Sequence, residues 1–308
     1  MTTTNISSTD LRQFSTRLFE SIGMPAATDD ADVAAASLVE SDLRGIYSHG
    51  VVRLQPPYME EMRDGYTNPT PDIKVVRNSA AHALLDSDRG QGQVVSHRAM
   101  SLAIDKARAA TSNGSRLTAA PFGGIEAAQG NMPMSYAIPN GDGDPVLLDM
   151  ATGAAAMGKV MMASIRGDSI PTGWAIDAEG RDTTDPDSVT AILPAGGPKG
   201  YGIGVVLDIL AGTLTGSLPS AIKGLDPEIA GKGNQSGHFF MAINIEGFVP
   251  VEEFADTMRE HSRTLHAVKP RPGFDGVYLP GELEWKNKAE RLAILQEMSH
   301  PFSVPITW

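Results

Sequence analysis

The 308-residue chain contains no cysteine, which excludes disulfides, thiolate metal sites and a cysteine nucleophile. Aromatic residues make up only 6% of it. No segment approaches the run of about 18 apolar residues that a membrane span requires. Basic residues are in deficit: 25 lysines and arginines stand against 37 aspartates and glutamates, a formal net charge of -12. That balance argues against nucleic acid or an anionic membrane as a partner, so any anionic ligand must be gathered by local arginines and lysines. The opening MTTTNISSTDLRQF has neither the basic nor the apolar region of a secretory signal, and a cytoplasmic protein is the expectation. No pair of histidines or carboxylates has metal-ligand spacing, so no metal is expected. What is present is ordinary for a globular chain able to bury a core: 41% hydrophobic and 20% charged residues. The length favours about two domains at roughly 150 residues each.

The pattern along the chain changes twice. Ser8 and Thr9 can cap a helix with Leu11, Phe14, Leu18 and Ile22 on one face, closed by Gly23 and Pro25. An alanine-rich helix follows from Thr28, and residues 53–65 read as a third. From Ile73 the pattern becomes mixed, with strand-like runs at 73–76, 82–86, 135–138, 146–150 and 191–193 among glycine- and proline-bearing turns. A helix after Gly92 carries Ala99, Met100, Ala103, Ile104 and Ala107, and another carries Ile203, Val206, Leu207, Leu210 and Leu214. Residues 238–245 read as a buried strand, and the tail returns to amphipathic helix at 251–266 and 284–298. The pattern predicts a helical domain from residues 1–72 plus 251–308 and an α/β domain from 73–250.

Two segments carry chemistry. Ser48-His49-Gly50 with Arg53 places a hydroxyl, an imidazole and a guanidinium within six residues. Histidine, with an unperturbed pKa near 6.5, suits proton donation to a carbonyl, and the planar arginine fork suits a carboxylate. The same triplet also occurs as an ordinary turn at a helix end. Gly196-Gly197-Pro198-Lys199-Gly200-Tyr201-Gly202 precedes a helix, where free backbone N–H groups and Lys199 suit a phosphate; a flexible loop with a solvated lysine is the alternative. It is not a P-loop, and no Gly-x-Gly-x-x-Gly follows a strand, so the usual dinucleotide fingerprint is absent. Residues 146–153 form a strand running into a small-residue turn. His238, before two phenylalanines, reads as a core histidine, while His97, His261, His266 and His300 read as exposed and His82 lies in a strand-like run. Met132, Met134, Met157, Met161 and Met162 read as core filler.

Together these segments resemble the type-2 malate/L-lactate (sulfolactate dehydrogenase-like) family, with matches nearly end to end. They include Asp42-Leu43-Arg44-Gly45 with Ser48-His49-Gly50 and Arg53, Asp88-Arg89-Gly90-Gln91-Gly92, Pro121-Phe122-Gly123-Gly124 and Leu148-Asp149-Met150-Ala151-Thr152. Gly158-Lys159, Gly173-Trp174, Gly196 to Gly202, Gly237-His238-Phe239-Phe240 and Leu279-Pro280-Gly281-Glu282 complete the series. The resemblance implies a family-specific, non-Rossmann α/β fold with a mixed-sheet cofactor domain. It implies interconversion of 2-hydroxy and 2-oxo acids with NAD or NADP, and a homodimer. His49 becomes the proton donor or acceptor supported by Ser48, and Arg53 the binder of the substrate carboxylate. Ser115, Asp149, Met150, Ala151, Lys199, Gly200, Pro280 and Gly281 become cofactor contacts. Lys159 stands where imine-reducing relatives carry an aspartate that completes the Ser–His relay, which leans towards hydroxy acids. Cyclic imino-acid reduction and a redox-inactive binding module are the alternatives.

One departure is large. Relatives follow a helix like 99–110 with a strand, a turn bearing a histidine, a helix and another strand, whereas here 106–110 passes almost directly to Thr111-Ser112-Asn113-Gly114-Ser115. Either the chain lacks the segment or residues 110 and 111 are neighbours only in the numbering. Loss of buried strands costs more than a domain's margin of about 5–15 kcal/mol, which favours the second explanation. It predicts a Cα interval well above about 3.8 Å at Ala110–Thr111. Gly130-Asn131-Met132-Pro133, where relatives show Gly-Thr-Asn-Pro, is a smaller departure.

Overall fold

A computed structural model describes residues 6–78, 83–104, 109–113, 117–141, 143–225 and 236–297. In chain order its helices and strands begin with α1 (Ser8–Ser21), α2 (Asp30–Leu43), α3 (Glu60–Arg63), β1 (Lys74–Asn78), β2 (Ala83–Asp86) and α4 (Gly92–Ile104). They continue with β3 (Ala109–Asn113), β4 (Pro133–Asn140), β5 (Gly143–Ala151), α5 (Met157–Arg166), β6 (Ala175–Ile176) and β7 (Ala191–Ile192). The remainder are α6 (Pro198–Ala211), α7 (Ser220–Leu225), β8 (Gly237–Met241), α8 (Val251–His266) and α9 (Glu282–Glu297). Among the described residues no helix is long and apolar enough to cross a membrane.

The chain divides into two units: Met1–Ala107, Ala137–Leu147 and Ala242–Trp308 in the first, Arg108–Tyr136 and Leu148–Met241 in the second. Both chain ends thus contribute to the first unit, and residues 73–107, expected with the α/β part, group with it.

In the first unit, Ser7 rather than Ser8 or Thr9 caps α1, its Oγ accepting the Asp10 N–H at 3.0 Å. Leu11, Ser15 and Phe19 are its buried residues, Leu18 and Ile22 pack half-buried against the core, and Phe14 alone of the expected face is exposed. Alanines let α2 lie close: Ala31, Ala34, Ala35 and Leu38 recur at helical spacing and pack with Phe19, Met24, Leu54, Met59, Met62 and Val94. Each large side chain fully buried there contributes roughly 1.5–3 kcal/mol. The expected third helix is broken into short pieces. Turns of 3-10 type at Tyr47–His49 and Val51–Arg53 lead into a wide π turn at Leu54–Met59, and α-geometry resumes only in α3. Pro56 and Pro57 lack the N–H groups that a regular helix needs.

A four-stranded sheet has the order β5-β4-β3-β8, and β3, which lies in the second unit, pairs antiparallel with both neighbours. Ala110 and Thr111 are consecutive in β3, opposite Phe240 and Phe239 of β8. The long interval expected there is absent: the pairing with β8 runs without a break from Ala109 to Asn113. Helix α6 buries Gly200, Gly204, Leu207, Asp208 and Ala211 while Ile203, Val206 and Ile209 face outward, so the apolar face expected inside is partly reversed. The cause is close approach. A Cβ on Gly204 would stand 3.1 Å from both Gln129 Oε1 and Thr152 Oγ1, a distance only a small-residue stripe allows. Met132 and Met134 are core, as expected, whereas Met161 is exposed. The strand expected over 238–245 ends at Met241.

Candidate active site

The geometry around His49 begins at the end of α2. Gly45 takes φ +84° and turns the chain away from the helix. Ser48 Oγ and His49 Nδ1 then lie 3.0 Å apart, so adjacent residues form the expected pair. Arg53 folds back and donates through Nε to the Ser48 carbonyl at 3.0 Å, which fixes the guanidinium beside the same turn. His49 is exposed and Ser48 and Arg53 are half-buried, as a site open to a small solute requires.

Beneath the turn lies Asp42, whose buried carboxylate accepts the Val51 N–H at 3.0 Å. Burial pushes the Asp42 carboxyl up to about 6, against the opposing pull of the Val51 amide and the Arg291 guanidinium. A Cβ on Gly50 would come within 1.8 Å of Asp42 Oδ1, which explains why glycine follows the histidine.

In the second unit the expected cofactor residues of β5 and α6 come together. The Ala195 N–H donates to the Thr152 carbonyl at 2.9 Å and the Ala154 N–H to the Leu193 carbonyl at 2.7 Å, so the end of β5 runs beside the glycine loop. Asn131 braces the turn, accepting the Gly153 N–H at 2.6 Å and donating to the Ala155 carbonyl at 2.9 Å. Asp149 is exposed, Met150 and Ala151 are half-buried, and Lys199 is exposed at the start of α6. The loop amides are not turned to an anion as expected. Gly200 N–H donates to the Ala195 carbonyl at 3.0 Å, Tyr201 N–H to Gly197 at 3.2 Å and Lys199 N–H to Gly196 at 3.4 Å. The anion-attracting features there are therefore the Lys199 side chain and the dipole of α6. Space is available: nothing lies within 4 Å of a Cβ built on Gly202. Lys159 is exposed in the first turn of α5.

Pro280 and Gly281 belong to the first unit, where the Leu147 N–H donates to the Pro280 carbonyl at 2.8 Å. Gly281 takes φ +93° and packs so closely that a Cβ would be 2.8 Å from that of Leu147. Ser115, His82 and His300 lie outside the described residues.

Sequence reasoning missed Asp42, and it missed a polar cluster in the second unit. Asp208 accepts the Ser220 N–H at 3.0 Å and its hydroxyl at 3.1 Å, and Lys223 is only 1% exposed. Burial lowers Lys223 to about 8, against the attraction of Asp208. His238 is half-buried, its ring stacked on Phe240. Burial first, and then the Lys223 charge, lower its pKa to about 4. A lysine in a six-residue helix gives no signal of such burial.

The malate/L-lactate dehydrogenase family profile matches residues 6–113 and 109–294, and the chain belongs to that family. It is 36% identical over 325 positions to a malate dehydrogenase of Pyrococcus horikoshii, covering 92% of this chain and 88% of that protein. The fold is similar to the structure of a sulfolactate dehydrogenase from Methanocaldococcus jannaschii, with a TM-score of 0.83, 31% identity and coverage of 98% and 94%. A Δ1-piperideine-2-carboxylate reductase from Pseudomonas syringae superposes with a TM-score of 0.81 at 25% identity, over 95% of each chain. The two matched stretches overlap at 109–113, the whole of β3, so these residues align with family positions on both sides of the segment missing here. In the Pyrococcus alignment, 92% of 308 residues spread over 325 positions leaves about 40 positions without a counterpart in this chain.

Proposed function

We propose that the protein is an NAD(P)-dependent oxidoreductase that interconverts a 2-hydroxy acid and a 2-oxo acid. The observation that carries this reading is the Ser48–His49 pair with Arg53 folded onto the same turn, in a chain of this family. In the reducing direction His49 delivers a proton from Nε2 to the carbonyl oxygen of the substrate. Ser48 holds the ring through Nδ1, and Arg53 holds the carboxylate so that the carbonyl meets the imidazole. The exposed Lys199 and the open backbone at Gly202 fit the phosphates of a dinucleotide, with Asp149, Met150, Ala151, Gly200, Ser115, Pro280 and Gly281 as further contacts. The nicotinamide, when bound, supplies the hydride. Lys159 is a further catalytic candidate, standing where imine-reducing relatives carry an aspartate, and it favours hydroxy-acid substrates. We read the cofactor part as a non-Rossmann unit, and the working form as a cytoplasmic homodimer with a small carboxylate substrate. The outward Ile203, Val206 and Ile209 of α6 support association.

His49→Ala tests the assignment. Turnover of 2-oxo acids with NADH or NADPH, followed by absorbance, is expected to fall by at least 100-fold while binding of the reduced cofactor, read by fluorescence, persists. Retained turnover overturns it. Cyclic imino-acid reduction is the second reading, supported by the likeness to the Pseudomonas reductase. A panel of 2-oxo acids and cyclic imines with both cofactors separates the two, and absence of any response to NADH and NADPH favours a binding module.

A further inference from the structure

The turn that carries His49 is gripped from two directions, and neither grip belongs to the residues so far given a role. From below, the Asp42 carboxylate holds the Val51 N–H at 3.0 Å and fills the space in which a Gly50 side chain would sit. From the far end of the sequence, α9 supplies Arg291. One terminal nitrogen of its guanidinium donates to the Asp42 backbone carbonyl, and its Cζ lies 5.1 Å from the centre of the Tyr47 ring. The other terminal nitrogen would be 3.1 Å from a Cβ on Gly45, so the left-handed glycine makes room for it.

The neighbouring contacts keep α9 in register with α2. Glu40 accepts from Arg44 at 2.8 and 2.9 Å and from Lys288 at 2.6 Å. The Arg44 guanidinium lies 4.1 Å over the Trp285 ring, and Lys288 lies 5.7 Å from the same ring. Trp285 Nε1 donates to the Pro145 carbonyl at 3.2 Å, which ties α9 to β5 as well. The last described helix is thus bonded to the base of the site turn rather than laid against a remote surface.

We propose that Asp42 and Arg291 are positioning residues for the proton-transfer site, setting where the His49 imidazole and the Arg53 guanidinium stand. The proposal rests on the reading of His49 given above. Two hydrogen bonds and a ring contact fix the turn at Asp42, Tyr47 and Val51, and the working groups at 48, 49 and 53 lie between or next to these points. A shift of about 1 Å in a reacting group can lower a rate by two orders of magnitude, so loosening this frame acts on turnover before it acts on folding.

The test compares Asp42→Ala, Asp42→Asn, Arg291→Met and Arg291→Lys with the unaltered enzyme and with His49→Ala. The measurements are kcat, KM for the 2-oxo acid, the dissociation constant of the reduced cofactor by fluorescence, and the melting temperature. Asp42→Ala and Arg291→Met are expected to lower kcat about tenfold or more and to raise KM. Cofactor affinity is expected to fall much less than kcat, because the proposed contacts at Lys199 and on β5 lie outside this turn. Asp42→Asn, which retains an acceptor for Val51, and Arg291→Lys, which retains a cation, are each expected to recover part of the lost kcat. Folded variants with unaltered kcat and KM overturn the proposal, as does a fall in melting temperature with no change in either constant. Should Asp42→Ala fail to fold, the half-buried Arg291 carries the comparison. An active His49→Ala overturns the function reading itself. An inactive His49→Ala beside fully active Asp42 and Arg291 variants overturns only the positioning role.

Discussion

Gly50→Ala is the sharpest probe of how the site turn is built. The added methyl would stand 1.8 Å from Oδ1, 2.3 Å from Cγ and 2.6 Å from Oδ2 of Asp42. Reaching an ordinary contact of at least 3.4 Å demands a relative shift of about 1.6 Å. Asp42 is poorly placed to give way, since it is buried and accepts the Val51 amide. Losing a hydrogen bond to a charged acceptor costs about 1.5–3 kcal/mol and overpacking about 1–3 kcal/mol more, so the loss of stability comes to roughly 2.5–6 kcal/mol. At about 2–4 °C per kcal/mol, the melting temperature should fall by about 5–24 °C. Displacement of His49 by an ångström or more should lower kcat by about 100-fold. Thermal unfolding and a cofactor-absorbance assay on one preparation read both effects. Gly50→Ala combined with Asp42→Ala relieves the collision and should recover part of the melting temperature. A single variant that melts and turns over like the unaltered protein refutes the reasoning.

Two further outcomes concern stability. Phe19 has no exposed surface in the first-unit core, so Phe19→Ala should cost about 3–5 kcal/mol in denaturant unfolding. His238, lowered to about 4 in the folded protein, binds fewer protons than the unfolded chain between that value and the ordinary 6.5. Its contribution is therefore intact above about pH 6.5 and lost as pH falls towards 4, by up to about 3 kcal/mol. Unfolding curves of His238→Gln should lack that loss, and parallel pH dependence in the two proteins would contradict it.

Much of this arrangement was legible in the residues. Alanine-rich spacing announced α2, and alternating apolar runs announced β4 and β5. The Ser48-His49 pairing and the adjacency of Arg53 followed from their closeness in sequence. Features that depend on packing were not legible. Helix α6 is apolar on nearly every side, so periodicity alone could not tell that Gly200 and Gly204 rather than Ile203 and Val206 would face inward. The glycine loop looked ready for an anion, yet a helix start can turn its first amides onto its own loop carbonyls, and this one does. Asp42 carries no local mark of burial. Its importance comes from a chain reversal nine residues long and from an arginine 249 positions away.

That last distance has a consequence for biosynthesis. A ribosome releases residues 42–53 long before it reaches Arg291, so the newborn turn at first stands without its second clamp. The site turn is then fully framed only when α9 folds back onto α2. A nascent chain of this design reaches its full rate only after Arg291 has emerged.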